Sequence, residues 1–372
     1  MKRRSLLSLL AAAGAASPAL LSRASQARTA TASRHVLVLV ELRGGNDGLN
    51  TLAPHRDPLY RQARPSLALT DALPLADGLA LHPALAPLLP LWKQRRLGFA
   101  LGVGWPQPNR SHFKASDQWS AANPAGTGPG WLARAYAHHP GGGPLVALGP
   151  SGCAAMEGGE ALALQLAPAG LQQGSVPLLD PAAAGDSQVL RRLLELELAG
   201  NRELERLRRQ LAPLPAGVSL PRGSLGEQVG LALRLIGSDG CPPVLQLAQA
   251  GYDTHANQPA RHARVLTDLA EALASLDAGL QQLPRRPRVT VLAVSEFGRR
   301  LQENGSRGTD HGSASIALIA GDAPPHPFMG RYPRLDQRDS RGDLLPTLSP
   351  LELYRQVLAQ VEPAGVRALP AS

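Results

Sequence analysis

The stretch RVTVLAVSEF, residues 288–297, decides the fold. It is apolar almost throughout, rich in Val, and lacks the strict alternation of a strand with one wet face. A short run of this kind fits a strand covered on both sides, as in a parallel sheet. Five more runs share the pattern: HVLVLVEL (35–42), LGFALGVG (97–104), PLVALG (144–149), PVLQLAQA (243–250) and SIALIAG (315–321). Helical spacing fills the gaps between them, in HPALAPLLPLWKQRR from His82 and across 187–211, 224–237 and 260–283. Ser349 is placed to cap a last helix, SPLELYRQVLAQV. Buried strands alternating with amphipathic helices predict one wound, mostly parallel α/β sheet with helices on both faces.

Residues 150–225 break the rhythm with many Gly, Pro and Ala, and read as an irregular insertion or lid on that domain. The first 27 residues have a basic start, an apolar middle and a small-residue end, the order of an export signal. Arg3-Arg4-Ser5-Leu6-Leu7 resembles a twin-arginine signal, with an ordinary secretory signal as the alternative. The mature domain is then residues 28–372, periplasmic or secreted, and no later run is long enough to span a bilayer.

Removing the signal takes four positive charges from the formal +9 and leaves a mildly basic chain at +5. Its arginines are scattered along helices such as NRELERLRRQL, without the dense basic run or interleaved aromatics of a nucleic-acid groove. Nucleic acid is therefore not an expected partner. Cys153 and Cys241 are too few for a disulfide scaffold; they either pair or stay buried as thiols.

Ligands of open α/β sheets collect beyond the carboxyl ends of the strands, and here each end is polar. Asp47 follows the first run in RGGNDGLN, Ser111 and His112 the second in WPQPNRSHF, Asp253 and His255 the run at 243–250 in GYDTHANQ. Glu296 follows the run at 288–294 and leads into the loop that carries Asp310 and His311. Any one of these is explained as a polar turn or a helix cap. Four at one edge of one sheet point to a metal site, since carboxylates and imidazoles together suit zinc, manganese or iron. Two Asp-His pairs and a further Asp can hold two divalent ions. Ser111 is the candidate nucleophile beside them, and Arg43, Arg110 and Arg299, with His112 and Glu296, are the candidate contacts to an anionic ester.

Read in order, ELRGGNDGLNTLAP, RSHF, GYDTHANQ and SEFGRRLQENGSRGTDHGSAS closely resemble the exported bacterial domain-of-unknown-function family 1501, from about His35 to the last helix. That family in turn resembles a branch of the alkaline phosphatase and sulfatase superfamily, whose T-x-D-H-like segment GTDHGSAS is similar to. The resemblance implies an alkaline-phosphatase-like fold, a metal-dependent hydrolase of phosphate or sulfate esters, and Asp47, Asp253, His255, Asp310 and His311 as ligands. It also implies Ser111 in the nucleophile's place. Its departures are the short Asp-to-His spacing in DTH and the missing late acidic residue where this chain reads TLSP; His326 is a late histidine, read as a solvent-facing loop residue. Members occur beside a second uncharacterised exported family, so a non-catalytic, metal-stabilised assembly or export partner is the alternative function.

Overall fold

The computed structural model describes residues 35–166, 180–322, 324 and 326–370. The export signal read at residues 1–27 lies outside them, as do residues 167–179 of the expected insertion.

Strand β1 (His35–Arg43) runs through the middle of the sheet. Val36, Val38, Val40 and Leu42 enter the core on one face and Leu37 and Leu39 the core on the other, which is why the sequence shows no alternation. Each fully buried Leu or Val here contributes roughly 1.5–3 kcal/mol relative to exposure. Two-residue strands β2 (Leu52–Ala53), β3 (Leu73–Pro74) and β4 (Ala80–Leu81) form a small antiparallel sheet apart from it. The other strands are β5 (Leu97–Val103), β6 (Leu145–Ala147), β7 (Ala163–Gln165), β8 (Val244–Ala250), β9 (Arg288–Val294), β10 (Ser315–Gly321) and β11 (Phe328–Gly330).

The main sheet has the order β11-β5-β10-β9-β1-β8-β6-β7. Only β10 runs against its neighbours; the other pairings are parallel. The carboxyl ends of β1, β5, β8 and β9 therefore share one edge with the amino end of β10. All six apolar runs became strands of this sheet.

Helices Ser224–Ile236 and Gln258–Gln281 cover one face, and His112–Ala121, Trp131–Ala135 and Pro350–Val361 the other. The predicted cap forms: the Ser349 hydroxyl accepts the Glu352 N–H at 3.1 Å. The helix expected from His82 is shorter than its pattern. His82 caps it through Nδ1, but Pro87 and Pro90 remove backbone donors, leaving a 3₁₀ segment at Pro83–Leu88 and a short helix at Leu89–Lys93. Within the expected insertion, β7 joins the main sheet beside β6, and the helix Gln188–Gln210 displays solvated ion pairs such as Arg208–Glu205 at 2.8 Å. Cys153 is a buried thiol 3.5 Å from Glu41, and Cys241 donates to the Pro242 carbonyl. Among the described residues, no helix is long and apolar enough to cross a membrane.

Candidate metal centre

Three loops must meet before any cluster can form at this edge. Gly44 has φ +121°, and a Cβ there would lie 2.5 Å from the Asp253 nitrogen, so the turns after β1 and β8 touch backbone to backbone. Gly308 allows the same approach, because a Cβ would stand 2.2 Å from the His255 carbonyl carbon. Arg299 then ties the loops together. Its buried guanidinium donates to the carbonyls of Gly45 (2.7 Å), Thr309 (2.8 Å), Tyr252 (3.1 Å) and Gly44, and to Asp253 Oδ1 at 2.7 Å.

On this frame Asp253 Oδ1, His255 Nε2 and His311 Nε2 form a triangle with sides of 3.1, 3.3 and 3.0 Å. Ligand bonds of about 2.0–2.2 Å in a tetrahedral site place donor atoms about 3.3–3.6 Å apart, slightly wider than this spacing. The opposite nitrogens are all occupied. His255 Nδ1 donates to Asp310 Oδ1 (3.2 Å), and His311 Nδ1 donates to the Arg110 carbonyl (2.8 Å). Those acceptors put the proton on Nδ1 and leave an Nε2 lone pair facing the common point.

His112 repeats the device from the first turn of its helix. Its Nδ1 donates to Glu296 Oε1 at 2.8 Å, and its Nε2 lies 3.7 Å from Asp253 Oδ2. His112, Asp253 and His311 each offer one ligand atom within 4.8 Å of the others. Charge agrees with position at Asp253 and His311 and runs the other way at His112. Burial acts to raise Asp253, but the hydrogen bond from Arg299 and the Arg299 charge outweigh it and hold the carboxyl at about 2. Burial keeps His311 below its ordinary value and hence neutral, whereas the hydrogen bond to Glu296 holds His112 above it.

The sequence-predicted residues divide sharply. Asp253, His255 and His311 converge on one point, and His112, expected to contact substrate, lies beside the same cluster. Asp310 orients His255 instead of contributing to the triangle, and Glu296 orients His112. Asp47 takes no part. It lies at the same edge but is fully buried, with Arg64 Nη1 and Nη2 at 2.6 and 3.1 Å and Gln258 Nε2 at 2.5 Å occupying its oxygens. The guanidinium supplies the positive charge that a second ion would have brought.

The three arginines expected to meet substrate are also engaged. Arg299 is the buried strut, Arg110 is paired with Asp343, and Arg43 is held by Glu41 and the Gly152 carbonyl. Ser111 is exposed at the N-cap of the His112 helix, and its hydroxyl has no hydrogen-bond partner among the described residues. His326 is exposed beside Gly98, at the far end of β5 from the cluster. Sequence reasoning missed Arg64 and Gln258, since neither RQARPS nor the start of a helix marks a residue that will neutralise a distant Asp.

A cavity of about 620 Å³ opens beside the cluster and is bordered at that end by His112, Asp253 and Glu296. The molecule is thus a mixed α/β protein whose sheet edge assembles one imidazole-carboxylate centre next to a cavity. The chain belongs to the family described as protein of unknown function, DUF1501, whose model matches residues 92–324. No curated protein matches it. Among solved structures it is similar to the C-terminal periplasmic domain of EcEptC from Escherichia coli in complex with zinc, at 10% identity, covering 89% of this chain and 82% of that one, TM-score 0.41. It is also similar to Ps i-CgsB, at 10% identity over 90% of this chain and 72% of that one, TM-score 0.42.

Proposed function

We propose that the protein is an exported hydrolase of phosphate or sulfate esters that works with one divalent ion, zinc or manganese, held by Asp253, His255 and His311 and approached by His112. The supporting observation is the convergence of Nε2 lone pairs on a carboxylate oxygen while every opposite nitrogen is tethered to an oxygen acceptor. Lone pairs and a carboxylate at this spacing repel one another until a proton or a metal cation sits between them, and a divalent ion meets all three donors at once. A divalent ion bound there supplies Lewis acidity to the ester oxygen and to an attacking water. The chain's own groups set the geometry: Arg299 holds Oδ1 of Asp253, Glu296 fixes the His112 ring, and Phe297, 4.6 Å from the His311 ring, walls the site with an apolar face.

Ser111 is not needed in this reading, and water is the attacking group. The alkaline-phosphatase-like assignment of the sheet rests on the resemblance of GTDHGSAS, and export through the twin-arginine machinery on Arg3 and Arg4. A partner from the second exported family remains part of the alternative, an assembly protein stabilised by metal.

Metal analysis and hydrolysis assays test the proposal together. Purified protein loaded with zinc or manganese is expected to retain one equivalent, to lose it in His311→Ala and Asp253→Asn, and to hydrolyse aryl phosphate or sulfate esters only when loaded. Ser111→Ala should remain active. One bound equivalent with no turnover across a broad ester panel would replace the hydrolase with the assembly protein, and two equivalents would overturn the single-ion site.

A further inference from the structure

The cavity beside the cluster contains more information than a metal site requires. One wall is the helix His112–Ala121, where Phe113, Ser116, Asp117 and Ser120 follow one another at helical spacing on a single face. Small serines on that face leave room, and Phe113 stands 84% exposed at its start. Phe113 is the accessible aromatic of the lining, and the buried rings of Trp119, Trp131 and Tyr354 support it from beneath; Trp131 stacks on Tyr354 with centroids 4.1 Å apart, and Trp119 meets Tyr354 edge-on at 6.3 Å. Leu42, Val294 and Ala155 complete the apolar lining.

The charges around the cavity are already compensated. Glu41 pairs with Arg43 at 2.7 Å, Asp117 with Lys114 at 3.7 Å and Glu296 with His112 at 2.8 Å. An anionic group finds no unpaired cation within the cavity, so it is directed to the metal-ligand end. A highly hydroxylated group would find open hydrogen-bonding partners along the helix wall alone, at Ser116, Asp117 and Ser120, because Glu41 is also engaged by Gln246 and Ser295 by the Leu42 carbonyl. A flat or chain-like apolar body suits the Phe113 ring and the apolar lining at Leu42, Val294 and Ala155, and a volume of about 620 Å³ is in the range that encloses a drug-sized molecule.

We infer that the substrate is an ester of a bulky, largely apolar alcohol or phenol, with its anionic group at Asp253, His255 and His311 and its apolar body between the His112–Ala121 helix and the Ser151–Ala155 segment. The inference rests on the reading of the cluster as an anion-handling metal centre, and binding can be measured without turnover. Trp119 and Trp131 line the cavity, so quenching of their fluorescence reports occupancy.

With zinc-loaded protein, 1-naphthylphosphonate is expected to bind at least tenfold more tightly than methylphosphonate, and glucose 6-phosphate no better than methylphosphonate. Ser116→Trp fills the cavity from an exposed helix position and should lower the naphthyl-to-methyl affinity ratio at least tenfold, with zinc content and far-UV circular dichroism confirming the fold. Phe113→Ala should lower the ratio about threefold. Equal affinities for the phosphonates, tighter binding of glucose 6-phosphate, no binding of either phosphonate, or an unchanged ratio in Ser116→Trp would each overturn the inference. The hydrolase reading fails separately. Selective naphthylphosphonate binding without hydrolysis of any ester removes catalysis and leaves the cavity's preference standing, whereas hydrolysis without that preference removes only the cavity's role.

Discussion

Glu296 orients other groups at the centre. Its Oε1 accepts from Gly44 N and His112 Nδ1, both at 2.8 Å, and its Oε2 accepts from Ser295 Oγ at 3.0 Å. Burial acts to raise this carboxyl, but these hydrogen bonds outweigh it and keep Glu296 below its ordinary value, hence ionised. Partners that orient a ligating imidazole are worth about 10–100-fold in metal affinity. Glu296→Gln should weaken zinc binding by that factor in competition with a chromophoric chelator while leaving His255 and His311 in place. The sequence showed a carboxylate directly after a buried strand, which was enough to find Glu296. It could not show which way the side chain points, so the orienting role was legible only in three dimensions. Arg64 lay beyond reach altogether, because its partner Asp47 comes from a separate turn and no local pattern joins them.

Helix Gln258–Gln281 carries the buried polar layer beneath the centre. Gln258 reaches Asp47, and one turn later His262, 1% exposed, contacts Asn46 Oδ1 through Nε2 at 2.9 Å. Burial brings His262 down to about 3 despite the nearby Asp47 carboxylate. The folded value lies below the unfolded one, so the unfolded chain takes up a proton that the folded chain refuses. Stability from this group is therefore complete above about pH 6.5 and falls by about 1.4 kcal/mol per pH unit as the pH drops toward 3. Urea titrations at pH 6, 5 and 4 should show that slope, and His262→Gln, which keeps an N–H for Asn46, should flatten it. Some slope should remain, since burial also holds His35 at about 4. The elements themselves were largely legible: each of the six apolar runs is a strand, because a sheet covered on both faces imposes an unbroken pattern. The short strands β2, β7 and β11 were not legible, whereas three-residue β6 was, because it lies in the longer run PLVALG; prolines cut the helix after His82 short of its apolar spacing.

Arg64 links distant parts of the molecule. It holds Asp47 and Asn50 after β1 and the Arg300 and Leu301 carbonyls after β9, with no exposed surface on its side chain. Removing one partner of a buried ion pair strands the other charge, at a cost of about 3–5 kcal/mol. Arg64→Met should therefore lose about that much unfolding free energy in denaturant titrations, and adding Asp47→Asn should restore part of it.

The central position of β1 also sets a timetable for the newborn chain. Val38 pairs with Leu245 and Leu39 with Leu292, so β1, the first strand among the described residues, waits for partners roughly 200 and 250 residues downstream. At about 5–20 residues per second, that wait lasts roughly 10–50 s. For that interval one of the most apolar stretches of the chain has two open edges, the condition under which unfinished polypeptides pair with one another. The strand that ends at the heart of the molecule is thus the one most in need of keeping apart from its siblings during synthesis.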